Sequence, residues 1–331
     1  MTARIRVGAA ALGAVVLAAP IGHADVRRAA PTQTPARSIV RTRFFGTWKL
    51  LSIEQRMPAG ELTAPTSPAP GRTGYLIYDP AGYMAVSIMP LGRKKYAGPQ
   101  ATDDEAKAAI TGYAAYFGTF SIDDANSSVT HHLQGSLNPG MAPEQKRFFE
   151  FSGNRLTLRP PPSPSGTQSR LTWERMDDVV NPTPDQRRFV GVWKLVSNER
   201  RNETGQPVSS NDGQTGYIIY TSAGLVMVHM MQPNRKPYAG SQPTPAEARQ
   251  ALRTYANYFG PFYVHESDGY VVHDQVGTLN LGRNGPAPLQ RFYGFANNRL
   301  VLHPPSTYDS DGHTLQGTIT WERVAGDAGA R

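Results

Sequence analysis

The 331-residue chain contains no cysteine. Disulfides, zinc–thiolate and iron–sulfur centres, thiol nucleophiles and a lipidated N-terminal cysteine are therefore excluded. Nothing follows about redox compartment, because a domain of this size folds without covalent staples. Long apolar runs are also missing. The longest, Val7 to Pro20, is 14 residues, short of the roughly 20 that span a bilayer, so no transmembrane segment is expected in the mature chain. Charge of one sign is never concentrated: the densest clusters are Arg93-Lys94-Lys95 and Arg187-Arg188. Scattered charge favours solubility, and without a basic arm or a finger signature no nucleic-acid partner is expected. Catalytic motifs are missing as well: no G-x-S-x-G elbow, no H-E-x-x-H and no phosphate loop. His131 and His132 are adjacent, so one strand cannot aim both rings at one metal. No cofactor, no metal and no catalytic residue is assigned.

What is present begins at the N-terminus. Arg4 and Arg6 precede the apolar run, and Gly22-His23-Ala24 follows with small residues at the two positions a signal peptidase reads. This order predicts a cleavable signal peptide over 1–24, and hence export to the periplasm or beyond the cell. Without Arg4 and Arg6, 32 basic and 26 acidic residues remain. Residues 25–37, rich in Ala, Pro and Thr, read as a disordered leader.

The rest of the chain says one thing twice. Gly46-Thr47-Trp48-Lys49-Leu50 returns as Gly191-Val192-Trp193-Lys194-Leu195, and Gly74-Tyr75-Leu76-Ile77-Tyr78 as Gly216-Tyr217-Ile218-Ile219-Tyr220. Lys95-Tyr96-Ala97-Gly98 is echoed by Pro237-Tyr238-Ala239-Gly240, and Tyr113-Ala114-Ala115-Tyr116-Phe117-Gly118 by Tyr255-Ala256-Asn257-Tyr258-Phe259-Gly260. Thr172-Trp173-Glu174-Arg175 closes one copy and Thr320-Trp321-Glu322-Arg323 the other. Two domains are expected, at 38–176 and 186–324, joined by a Pro-containing linker at 177–185 and followed by a tail at 325–331.

Within each copy the period is mostly two. Tyr75–Tyr78, the turn Asp79-Pro80-Ala81-Gly82 and Tyr83–Met89 read as a hairpin, and 129–134, 147–151, 155–158 and 171–175 as further strands. The exceptions are helical spacings over 103–116 and 244–258, each behind a capping box, Thr102 with Glu105 and Thr244 with Glu247. Many short strands and one helix in about 140 residues predict a small antiparallel barrel.

The ordered motifs G-x-W-K-L, G-Y-[LI]-I-Y, Y-x-x-Y-F-G and [LI]-T-W-E-R resemble those of the bacterial and fungal lipocalin-like domain family. The resemblance covers nearly the whole mature chain and implies a mainly β fold: two tandem lipocalin-like antiparallel β-barrels, each with one inserted α-helix. It also implies that Trp48 with Arg175, and Trp193 with Arg323, plug the closed barrel ends through a cation–π contact, with Glu174 and Glu322 as partners of the arginines.

Alternation along the strands then selects candidate ligand contacts. Val129, His131 and Leu133 share one face, repeated by Val271 and His273. Arg147, Phe149 and Phe151 share another, repeated by Arg291, Tyr293 and Phe295. A buried arginine needs a counter-charge: the anionic head of an amphipathic ligand, an internal carboxylate, or a rim where it reaches water. His131 and His273 either meet that ligand or satisfy neighbouring protein groups. Tyr116 and Tyr258 either hydrogen-bond a ligand at the barrel mouth or pack the helix onto the barrel. Met84, Val86 and Ile88, with Val226, Val228 and Met230, are core or cavity lining, and Met227, His229, Met230 and Met231 enrich the second barrel in adaptable side chains.

The ligand-binding set is therefore Arg147, His131, Tyr116, Arg291, His273 and Tyr258. The leading expectation is an exported protein that holds a small hydrophobic or amphipathic molecule, anionic ones included, in one or both barrels. The alternatives are a cofactor-free isomerase, cyclase or hydrolase acting on a small apolar metabolite with a histidine as proton shuttle, and an interaction module with filled barrels.

Overall fold

Residues 39–57, 62–66, 71–210, 213–309 and 311–325 are described by a computed structural model. The expected signal peptide, the leader and residues 326–331 of the tail lie outside them. The first copy runs helix α1 (Ile39–Phe44), strands β1 (Gly46–Arg56), β2 (Leu62–Thr66), β3 (Arg72–Tyr78) and β4 (Tyr83–Pro90), helix α2 (Asp103–Ile110), then β5 (Ala114–Asp123), β6 (Ser128–Ser136), β7 (Glu144–Ser152), β8 (Arg155–Arg159) and β9 (Gln168–Arg175). The second repeats it: α3 (Pro184–Phe189), β10 (Gly191–Arg201), β11 (Pro207–Ser210), β12 (Thr215–Tyr220), β13 (Leu225–Met231), α4 (Pro245–Thr254), β14 (Tyr255–His265), β15 (Tyr270–His273), β16 (Gly277–Thr278), β17 (Leu289–Ala296), β18 (Arg299–His303), β19 (Thr307–Tyr308) and β20 (Thr314–Arg323).

All pairings are antiparallel. β1 pairs with β3 over Gly46–Lys49 and with β9 over Trp48–Arg56, so β1, β3, β4, β5, β6, β7, β8 and β9 close a barrel. β10 does the same with β12 and β20, closing the second barrel. The expected hairpin forms: Asp79 N donates to Tyr83 O at 2.8 Å, and Gly82 turns at φ +90°.

α2 and α4 are shorter than their spacing predicts. Both capping boxes form, but α2 ends at Ile110, where Gly112 at φ +71° turns the chain, and α4 ends at Thr254. Tyr116 and Tyr258 are therefore strand residues, and their helical spacing to Tyr113 and Tyr255 is incidental. The short helices α1 and α3 were not anticipated, because six residues carry too little periodicity. Each drives one aromatic into a barrel end. Phe44 meets Tyr78, Phe149 and Phe151 edge-on, with centroids at 5.1, 5.0 and 4.9 Å. Phe189 meets Tyr293 and Phe295 edge-on and Tyr220 at a tilt, all with centroids at 4.9 Å.

The implied plug is found in the second copy, where the Arg323 guanidinium lies 4.1 Å from the Trp193 ring. Its N–H groups donate to the Val190 carbonyl at 2.7 Å and to that of Arg188, and Glu322 is exposed. Adjacent strand residues face opposite sides, which removes Glu322 from the site it was expected to serve. Gly191 opens this motif because a Cβ there would lie 2.6 Å from Arg323 Nη1, and Gly46 does so beneath Arg175.

The described residues form one compact unit with three hydrophobic cores. Two fill the barrels, and the third lies between them. Tyr75, Ile77, Ala85 and Phe117 of the first barrel meet Tyr217, Ile219, Met227 and Phe259 of the second, flanked by the apolar faces of α2 and α4. Met227 and His229 thus serve the junction between barrels, whereas Met230 alone of the four expected residues packs inside the second barrel. The signal was in the sequence: β3 and β4 are nearly continuous apolar runs, which mark strands covered on both faces. Reciprocal arginines bind the junction. Arg93 donates to the Leu279 carbonyl at 2.6 Å and to that of Thr278, and Arg235 to the Leu137 carbonyl at 2.6 Å and to that of Ser136.

Gly118 and Gly260 end the Y-x-x-Y-F-G motif for a steric reason. Register slips by one residue opposite Phe117/Gly118, and a Cβ on Gly118 would overlap the His132 carbonyl; on Gly260 it would overlap that of Asp274. The obstacle is backbone and cannot swing aside. Gly118→Ala and Gly260→Ala are expected to cost at least the roughly 1–3 kcal/mol of an overpacked core. Gly294→Ala, where a Cβ meets open space, should be nearly neutral in the same urea titration.

Candidate functional site

Closure of each barrel brings the sequence-selected residues together. His131 on β6 is 2% exposed, and both ring nitrogens are engaged. Nδ1 lies 3.1 Å from the Tyr116 hydroxyl and Nε2 2.6 Å from that of Tyr78. In the second barrel His273 Nδ1 and Nε2 lie 2.8 Å from the hydroxyls of Tyr258 and Tyr220. Tyr116 and Tyr258 thus point inward at the histidines. Tyr78 and Tyr220 were missed as site residues. They close the Y-[LI]-I-Y motif, whose alternation puts Leu76 and Tyr78 on one face, but only closure shows what that face meets.

Arg147 shares the inward face of β7 with Phe149 and Phe151, as expected. It is half-buried and donates to the Lys146 carbonyl at 2.8 Å and to Gln145 Oε1 at 3.2 Å, and its charge acts on Tyr116 and His131. Arg291 donates to the Gln290 carbonyl at 2.8 Å, and its charge acts on Tyr258, Tyr220 and His273. Neither arginine forms a salt bridge with a carboxylate among the described residues.

A neutral imidazole carries one proton, so each histidine donates to one of its two tyrosine hydroxyls and accepts from the other. Burial, assisted by the neighbouring Arg147 charge, lowers His131 to about 3, and His273 falls to about 3 for the same reasons. Burial raises all four tyrosines. Near neutral pH each Tyr–His–Tyr relay is uncharged and stands beside an arginine.

Around it, Ile53, Leu133, Phe149 and Leu171 line the same interior half-buried, as do Met230, Val264, Tyr293 and Ile319 in the second barrel. A cleft of about 730 Å³ lies elsewhere, between the barrels. An exposed Asp309, Asp311 and His313 group could approach one cation, but it is a loop cluster with its own hydrogen bonds. No helix of the described residues is long and apolar enough to cross a membrane.

Comparison with solved structures returns only distant likenesses. A protein of unknown function from Nostoc punctiforme is 11% identical, with 87% of this chain and 100% of that one covered and a TM-score of 0.23. A transferrin binding protein B mutant from Haemophilus parasuis is 5% identical, with coverage of 85% and 76% and the same TM-score. Isotype 1 transferrin binding protein B from Neisseria meningitidis is 8% identical, with coverage of 84% and 76%, again at 0.23. At such scores none bears on function. No curated protein matches the chain. The model of the lipocalin-like domain matches residues 45–176 and again 190–324. With two closed eight-stranded barrels in the same places, the chain belongs to the lipocalin-like domain family, in two tandem copies.

Proposed function

We propose that this is an exported binding protein whose barrels hold a small amphipathic molecule, its apolar body among the half-buried aliphatic and aromatic side chains and its anionic head on Arg147 or Arg291. One observation carries the reading: the same buried Tyr–His–Tyr relay recurs in both barrels beside an arginine that forms no salt bridge with a carboxylate among the described residues. An uncompensated guanidinium beside apolar surface suits a carboxylate, sulfate or phosphate head held by charge-assisted hydrogen bonds. Catalysis is the weaker reading, because a general base works best with a pKa near the operating pH, and both histidines are depressed to about 3 with both ring nitrogens engaged.

The test is native mass spectrometry of the chain purified from its own host, followed by extraction of anything bound. A small acid should co-purify with the native protein. Arg147→Gln and Arg291→Gln, which alter half-buried side chains, should keep the melting temperature and release it. A protein that arrives empty and takes up no fatty acid or aromatic acid would sink the proposal.

A further inference from the structure

The geometry points to a second ligand site, distinct from the barrel interiors: the cleft between the two barrels binds a small amphipathic anion at Arg175. Its walls are the same segments of the two copies facing each other: the starts of β1 and β10, the turns after β3 and β12, and the ends of β9 and β20. Its volume of about 730 Å³ lies within the range of small-molecule sites, roughly 300–1,000 Å³. Phe45, Ile77, Val190, Val192 and Val324 give it apolar surface.

Two departures from the repeat give it a direction. The first turn carries Asp79, whose carboxylate accepts from Ala81 N at 2.8 Å and attracts Arg323 of the other barrel. The second turn has Thr221 in that place, so that turn offers no carboxylate to the corresponding arginine, Arg175. Arg175 is exposed and forms no salt bridge among the described residues. Asp178, the other carboxylate in the cleft, accepts from the Ser222 hydroxyl at 2.5 Å. The second departure is Thr47, which stands where the other copy has Val192. Thr47 is 2% exposed, lines the cleft, and its hydroxyl has no hydrogen-bond partner. A buried hydroxyl left unpaired is destabilising, so its retention in one copy only marks a position where a polar atom of a ligand is met. One uncompensated cation, one orphaned hydroxyl and apolar walls together complement a carboxylate or sulfonate carried on an apolar body.

The test uses the full chain and the dye 1-anilinonaphthalene-8-sulfonate, with uncharged N-phenyl-1-naphthylamine as its partner probe. Thr221→Asp installs opposite Arg175 the carboxylate that the first copy already carries, in a turn whose geometry accepts it. Thr47→Val installs the side chain of the second copy. Arg147→Gln and Arg291→Gln, in one chain, silence the barrel sites. On that double background the sulfonate should still bind, the uncharged dye should bind at least about tenfold more weakly, and Thr221→Asp should weaken the sulfonate about tenfold or more. Thr47→Val should weaken it by a smaller factor at unchanged melting temperature. Loss of all binding on the double background, equal binding of both dyes, or a folded Thr221→Asp protein that binds as before would overturn the site. The barrel proposal is untouched by any of these, because its test reads retention of the native molecule by Arg147 and Arg291.

Discussion

Acidification should begin to destabilise this protein above the range in which its carboxylates titrate. His131, His229 and His273 are fully buried, and burial lowers each to about 3 from an ordinary 6.5. A group depressed in the folded state binds its proton more readily when unfolded, so stability is complete above pH 6.5 and falls as pH drops from there toward 3. Each histidine contributes a slope of about 1.4 kcal/mol per pH unit in that window. Together they amount to roughly 4 kcal/mol per unit, a large fraction of the roughly 5–15 kcal/mol by which domains are stable. Urea titrations at pH 7.5, 6.5, 5.5 and 5.0 should show a plateau and then a steep fall. His229→Gln should reduce that slope by about a third, because it leaves the barrel relays intact. Equal stability at pH 7.5 and 5.0 would show that the three rings are not held neutral by the fold.

The second large effect is expected at Asn257, in the core between the barrels. Its Oδ1 accepts from the Tyr113 hydroxyl at 2.6 Å and from Ser87 Oγ at 3.1 Å, both on the first barrel. Its Nδ2 donates to the Val228 carbonyl at 2.8 Å and lies against the His229 ring, whose Nδ1 meets the Tyr255 hydroxyl at 2.8 Å. The corresponding residue of the first copy is Ala115, so this network is asymmetric and fixes which barrel sits on which side. Asn257→Leu keeps the branching of the side chain but orphans several buried groups, each at about 1–3 kcal/mol. A loss of about 3 kcal/mol or more is expected, a drop on the order of 10 °C in melting temperature for a unit this size. Ser87→Ala, which removes one donor and leaves Asn257 paired with Tyr113, should cost about 1 kcal/mol. A melting temperature for Asn257→Leu within a degree or two of the native value would show that the network contributes nothing to docking.

Much of this protein was determined by local sequence. The twice-repeated order of motifs defines two copies, and period-two alternation places Val129, His131, Arg147 and Phe149 on inward faces, because side chains along a strand have nowhere else to point. The capping boxes at Thr102 and Thr244 set both helix starts for the same local reason. What lay beyond reach was each face's counterpart. Tyr78 and His131 are 53 residues apart, and Ser87 and Asn257 are 170 apart. Alternation reveals that a side chain is buried without revealing what it is buried against. Closure of the barrels joined Tyr78 to His131 and Tyr220 to His273. Docking of one barrel on the other made a core from faces that a lone barrel would leave to solvent, moved Met227 and His229 into it, and opened the cleft where Arg175 forms no salt bridge among the described residues.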